Sequence, residues 1–336
     1  MARLPNLARL LPTPSILLFI PCSTLHGQEE PTGDPSILDT TADLEVLFEG
    51  GSRLEGPSIG LDGTIYFVEI DPFAGGRLWH LPPGGGEASV LLVPSGLAVG
   101  SAVDPDGNLL TAEYSLGGGR RISCMNLETG EQTTVTDHFQ EKPYGGANDL
   151  ALDDAGRIYF TENHYMGPEE ILDPHPPGVY RVDPDGEVHR VIKDAGMPNG
   201  IMVSPDQRTL YVGMNRFDSL GNGAILAYDL AEDGSVEFRS ILAIQKAEDQ
   251  HLADGMAVDV DGNLFVALFS QRARTGIAVF SPDGEQLAFI PTPGPATNVT
   301  FGLGSDATSL YITAGSFLYR FPVKSRGYHP PWRNPR

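Results

Sequence analysis

Four oxygen-bearing side chains, Glu55, Asn148, Asn199 and Asp254, each lie seven residues before an equivalent turn position, at residues 62, 155, 206 and 261. Two carboxylates and two amide carbonyls make a hard-oxygen donor set. With no thiolate and no imidazole among them, these donors suit calcium best, with magnesium, manganese or zinc as other divalent candidates. Asn and Asp also cap strands and satisfy turn backbones in purely structural roles. Four of them at one register point instead to a shared cation. The sequence contains no HExxH, paired-histidine or CxxC pattern, so a zinc site built from nitrogen or sulfur is not expected.

The elements that must position these residues are best seen from His251 to Phe269, HLADGMAVDVDGNLFVALF. Alternating apolar residues (Met256, Val258, Val260) lead into a turn at Asp261, Gly262 and Asn263, and a second apolar run follows. This reads as a β-hairpin, because Gly and Asn tolerate the positive φ of tight hairpin turns. The pattern recurs with its turn at residues 62, 106, 155, 206, 261 and 306, at intervals of 44, 49, 51, 55 and 45 residues. Periods of this length made of strands and turns predict an all-β fold, a six-bladed β-propeller with about four strands per blade. The first strand of each blade would line the central channel, so residues at one register converge at one channel end. Blade two places Val99 at that register, and blade six Val299 with Asn298 one residue earlier.

Each full copy carries a second hairpin, whereas the sixth has only SFLYRFPV. The early strand DLEVLFE, Asp43 to Glu49, is predicted to supply the missing outer strand, closing the ring and covering an open edge. The propeller is therefore expected over residues 42–324. Residues 28–41 read as a disordered lead-in, and residues 325–336 as a Pro- and Arg-rich tail.

The first 27 residues carry Arg3 and Arg9, no acid, and a short apolar run from Ile16 to Ile20, which reads as a secretory signal peptide for a secreted or periplasmic protein. That run is too short to span a bilayer. Cys22 follows Pro21, a poor match to a lipoprotein signal. Removing the leader takes the formal net charge from −22 to −24. Such an acidic surface disfavours nucleic acid and anionic membranes as partners. Only Cys124 would remain, so no internal disulfide is expected.

Other motifs carry less chemistry. Gly56, Ser58 and Gly60 match GxSxG, but Pro57 precedes the serine and a hairpin follows, not the strand–turn–helix of a nucleophile elbow. Gly117 to Gly119 lack the strand-to-helix context of a phosphate cradle and read as a flexible turn. Asn298 and Thr300 form a glycosylation sequon at the start of an inner strand, where access would be poor. Glu113, Tyr114, Arg120, Arg121, Glu162 and His164 fall where second strands end, near the channel mouth, and are candidate substrate contacts; Met214, Asn215 and Arg216 end the second strand of blade four, and Ser270, Gln271 and Arg272 of blade five could also face the mouth. Of the eight histidines, His164 is best placed to shuttle a proton.

Taken together, EGP at Glu55, AND at Asn148, MPNG at Asn199, ADGMAVDVDGNLFVA at Asp254 and PATNVTFG near Asn298 resemble the SMP-30/gluconolactonase/LRE-like family of six-bladed propellers, over most of the chain from Leu54 to Arg320. The resemblance implies a calcium-type ion held by Glu55, Asn148, Asn199 and Asp254, and hydrolysis of a sugar lactone. The ion would polarise the lactone carbonyl, and Asp254 would act as base or as nucleophile. Two stretches depart from the family pattern. Tyr114 and the triple glycine stand where bacterial relatives often carry a histidine-containing stretch, and FTEN replaces the common FTDP. Both stretches bear on the substrate more than on the ion. An organophosphate or other ester hydrolase, a sugar-acid isomerase or lyase, or a non-catalytic carbohydrate-binding propeller would use the same ion, and the sequence leaves these open.

Overall fold

The computed structural model describes residues 29–331, apart from 116, 164–174, 194, 217–221, 246–251 and 271–273. Six antiparallel sheets follow one another along the chain. Their innermost strands are Arg53–Ile59, Ala98–Val103, Ala147–Leu152, Pro198–Val203, Leu252–Val258 and Ala296–Phe301. Each packs beside the next, and the sixth returns to the first, so the six form a closed ring about a central channel. This is the six-bladed propeller that the repeat predicts. The hairpin turns use glycine in the left-handed region, with φ near +86° at Gly63 and +87° at Gly262, as an Asp-Gly turn requires.

Aromatic and branched side chains fill the gaps between blades. Phe265 of blade five meets Phe301 of blade six edge to face, with ring centroids 4.9 Å apart. Tyr144, Phe160 and Tyr180 pack together in blade three. Such contacts between wedge-shaped sheets hold the ring together, since the described chain contains no disulfide.

Both chain ends are worked into the ring. Strand Glu45–Glu49 pairs with Phe317–Pro322 as the outer strand of blade six, with Glu45 opposite Arg320. Its Phe48 packs on Phe67 and Trp79 of blade one. The segment expected to be a disordered lead-in is instead ordered from residue 29 onward. Thr32–Gly33 adds a fifth strand to blade five, and Leu38 is fully buried and bridges to Val323. The polar, Pro-rich composition concealed two apolar anchors, Ile37 and Leu38, that bury against the last blade. After the last strand, residues 323–331 cross the channel end remote from Glu55. Tyr328 donates its N–H to the Val258 carbonyl and its hydroxyl to Asp154, and His329 lies against the Gly302 carbonyl.

Candidate active site at the channel mouth

All six inner strands break their pairing with the second strand at the same place. The register shifts between Glu55 and Ser58, Ala98 and Gly100, Ala147 and Leu150, Pro198 and Ile201, Ala253 and Met256, and Ala296 and Asn298. A bulge frees two or three peptides from the ladder and re-aims their side chains, which is how a strand presents residues to a site. Glycine follows the register residue in four blades, at Gly56, Gly100, Gly200 and Gly255. A Cβ at Gly200 would lie 2.1 Å from the Asp254 carbonyl oxygen, and one at Gly255 would lie 1.9 Å from Asn298 Cγ. Glycine here is what lets six strands converge.

Glu55, Asn148, Asn199 and Asp254 line one cavity of about 180 Å³, together with Val99 of blade two. The register count thus brings together all four residues it singled out. Hydroxyls from neighbouring blades satisfy the carbonyls freed at the bulges. Ser101 donates to the Gly56 carbonyl at 2.6 Å, Thr161 to the Asn199 carbonyl at 2.6 Å, and Thr297 to the Leu54 carbonyl at 2.8 Å. These bonds tie each bulge to the next blade and fix the direction of the site side chains.

Burial dominates the electrostatics. Desolvation raises the Glu55 carboxyl well above the ordinary carboxylate range, with the Asp254 charge adding to the rise and the Arg53 guanidinium opposing it. Asp254 is only 8 % exposed, and burial pushes its carboxyl up to about 7 against the pull of Arg53 and a hydrogen bond from the Asn199 amide. Below the cavity, toward the far channel end, Asp149 points away from Asn148. Burial pushes its carboxyl up to about 7 as well, against hydrogen bonds from the Leu150 and Ile201 N–H groups and the Asn298 side chain. Asp149 and Asn298 fill the axial space that Gly100 and Gly255 leave open.

The remaining sequence candidates divide. Tyr114 lines the cavity and donates its hydroxyl to Asn163 Oδ1 at 2.7 Å, while Asn163 Nδ2 donates to the Pro198 carbonyl at 2.7 Å, directly before Asn199. Glu113 and Arg121 do not reach the cavity. They pair with each other at 2.9 Å, with Glu113 buried beneath Gly96 and Gly119. Glu162 is also turned inward, fully buried and accepting from the Gly145 N–H at 2.7 Å, so it braces the loop that leads to Asn148. Arg120, like Glu113 and Arg121, is not among the residues lining the cavity. His164 lies outside the described residues, as does the leader. Ser58 is buried on the opposite side, sharing a 2.7 Å hydrogen bond with Ser101, in line with rejection of the nucleophile elbow.

The sequence reading missed Arg53, which lines the cavity, as does Asn215 from the end of the second strand of blade four. Arg53 stands two residues before Glu55 on the same strand and so shares its face. Asn215 follows second strand Thr209–Met214. Pairing places Glu69, Glu113, Glu162 and Met214 opposite Leu54, Ala98, Ala147 and Pro198, and the residues one step further are Ile70, Tyr114, Asn163 and Asn215. Carrying the register count from the first strand to the second would have found them.

The sequence matches the SMP-30/Gluconolactonase/LRE-like region family over residues 55–316. The chain belongs to this family. Within the SMP-30/gluconolactonase/LRE-like group it is 31 % identical to a gluconolactonase of Zymomonas mobilis over 316 residues, covering 87 % of this chain and 84 % of that protein. It is 28 % identical to a pentonolactonase of Haloferax volcanii, over 74 % of this chain and 76 % of the relative. Among solved structures, a gluconolactonase from Xanthomonas campestris superposes with a TM-score of 0.74 at 28 % identity, covering 88 % of this chain and 95 % of that one.

The donor set fits a hard divalent cation. Two buried carboxylates face one cavity with a single guanidinium opposing them, and both are held above their ordinary range by burial, so a divalent charge there would relieve an unfavourable arrangement. The amide oxygens of Asn148 and Asn199 complete an all-oxygen cradle. Among the described residues no three His, Cys, Asp or Glu side chains gather into a metal cluster.

Proposed function

We propose that this protein is a divalent-metal-dependent hydrolase of sugar lactones, with calcium as the cation best suited to its donors. The observation that carries the proposal is the convergence of Glu55, Asn148, Asn199 and Asp254 on one cavity at the mouth of the channel. The gluconolactonase and pentonolactonase relatives support the same substrate class. A bound cation supplies polarisation of the lactone carbonyl and stabilises the oxyanion that forms on it.

The chain's own residues supply the rest. Glu55, Asn148, Asn199 and Asp254 would hold the ion, with the Asn199 amide steadying the Asp254 carboxylate. Asp254, held beside the ion, would accept the proton of the attacking water. The hydroxyl adds to the carbonyl carbon, the acyl bond to the ring oxygen breaks, and that oxygen leaves as an alcohol carrying a proton. Direct attack by Asp254 is the other route the geometry allows. Val99, Leu97, Ile70, Leu252 and Phe269 form the apolar part of the cavity and limit access of bulk water. The basic, acid-free start of the chain supports export of this enzyme from the cytoplasm.

The test is acid release from glucono-δ-lactone by protein treated with EDTA and then resupplied with calcium, beside Asp254→Asn. Restoration of the rate by calcium in wild type, and loss of at least a hundredfold in the variant, are expected. Unchanged turnover in EDTA would remove the metal from the reaction, and no hydrolysis in any state would remove lactones as substrates.

A further inference from the structure

Asn215 is 3 % exposed and lines the cavity, yet neither its Nδ2 nor its Oδ1 has a hydrogen-bond partner among the described residues. Buried amides are almost always paired, so a fully unpaired one in a native fold demands a reason. Its backbone is ordinary, since its N–H donates to the Met197 carbonyl at 2.8 Å and holds it in place at the end of its strand. Two other polar side chains of the cavity are engaged. Asn199 donates to Asp254, and Tyr114 donates to Asn163. The unmet capacity is therefore an NH2 donor group and a carbonyl acceptor on a single planar amide lining the cavity.

We infer that Asn215 is a specificity-determining residue that binds a vicinal pair of hydroxyls on the substrate. A cation would satisfy only Oδ1 and would leave Nδ2 buried and unpaired. A carboxylate or phosphate would satisfy only Nδ2. A hydroxyl both donates and accepts, and two on adjacent carbons present both functions to the two ends of one amide. Asn215 thus reads the polyol part of the molecule, while the four-residue cradle on the inner strands faces its carbonyl. The inference rests on the lactone-hydrolase reading and gives that enzyme its selectivity for sugar-derived rings over bare ones.

The experiment compares kcat/KM for glucono-δ-lactone with that for δ-valerolactone, the same ring without hydroxyls, in wild type, Asn215→Ala and Asn215→Leu. Calcium affinity is measured by calorimetry on each protein. The preference of wild type for the hydroxylated ring is expected to fall at least tenfold in both variants, with calcium affinity held and Tm unchanged or raised, since an unpaired buried amide has been removed. An unchanged preference would overturn the inference. So would an equal loss on both lactones accompanied by weaker calcium binding, which would make Asn215 part of the ion site. If wild type hydrolyses neither lactone, the enzymatic reading falls, and the inference is decided by calorimetric titration with D-gluconate. Binding weakened at least tenfold in the variants supports it, and equal binding, or none to wild type, overturns it.

Discussion

Replacing Asp254 by Asn should make the metal-free protein more stable at neutral pH while abolishing its response to calcium. The Asp254 carboxyl rises from 3.8 to about 7 on folding, with burial as the main cause. Because the folded-state value is the higher one, the folded chain keeps the proton between these limits while the unfolded chain releases it. Stability therefore falls as pH rises from about 4 to about 7 and levels off above that. At about 1.4 kcal/mol per pH unit, the full cost is on the order of 4 kcal/mol, an upper bound because Asp254 and Glu55 share one cavity. An Asn of the same shape carries no such cost and also relieves the repulsion felt by Glu55. Urea unfolding in EDTA from pH 4 to pH 8 should show wild type and Asp254→Asn equal at the acid end, with the variant ahead by up to about 4 kcal/mol at pH 8. Adding calcium should narrow that gap by about 2.7 kcal/mol at a hundredfold excess over Kd and close it, with about 4.1 kcal/mol, at a thousandfold excess, because ion binding stabilises only the protein that holds it. A variant less stable than wild type in EDTA at pH 8 would refute this account, since it would show the carboxylate to be satisfied by the protein itself.

Gly200→Ala places a methyl 2.1 Å from the Asp254 carbonyl oxygen, so it should cost roughly 1–3 kcal/mol in urea unfolding and lower calcium affinity, because two donors sit on the strands forced apart. Phe265→Ala, in the fully buried core between blades five and six, should cost about 3–5 kcal/mol in the same assay without changing calcium affinity measured by calorimetry. Tyr114→Phe removes a buried hydrogen bond to Asn163 and should cost about 1 kcal/mol with a measurable drop in kcat, because Asn163 anchors the peptide before Asn199. A chain started at residue 51 should elute as aggregate in size-exclusion chromatography, because the outer edge of blade six would lie open.

The sequence was informative where a single physical constraint repeats. Each inner strand must bulge at the same point for six to meet around a channel, so counting back from the turns found Glu55, Asn148, Asn199 and Asp254 together. Glu113 and Glu162, chosen for their place at second-strand ends, do not line the cavity because adjacent residues at a strand end point to opposite faces. Those glutamates face the blade flanks, where an Arg121 guanidinium and the Gly145 N–H satisfy them, and Tyr114 and Asn163 take the inward places. Arg53 escaped, and Asn215 stood out no more than its neighbours Met214 and Arg216, because nothing in composition distinguishes a cavity-facing amide or arginine from a solvated one. Only burial without a partner, a property of the folded chain, singles out Asn215. The lead-in was misread because its two apolar anchors lie among prolines and acids, and their burial partner, Val323, is almost three hundred residues away.

That distance bears on how the molecule is made. The strand at Glu45–Glu49 can find its partner only after Phe317–Pro322 has been synthesised, so it waits unpaired until the other strands of the sixth blade have been made. Individual hairpins can form as they emerge, but the ring shuts in a single late event that joins the first-made residues to the last. A chain with that order of assembly keeps the outer edge of blade six open to proteases and chaperones until these two strands meet.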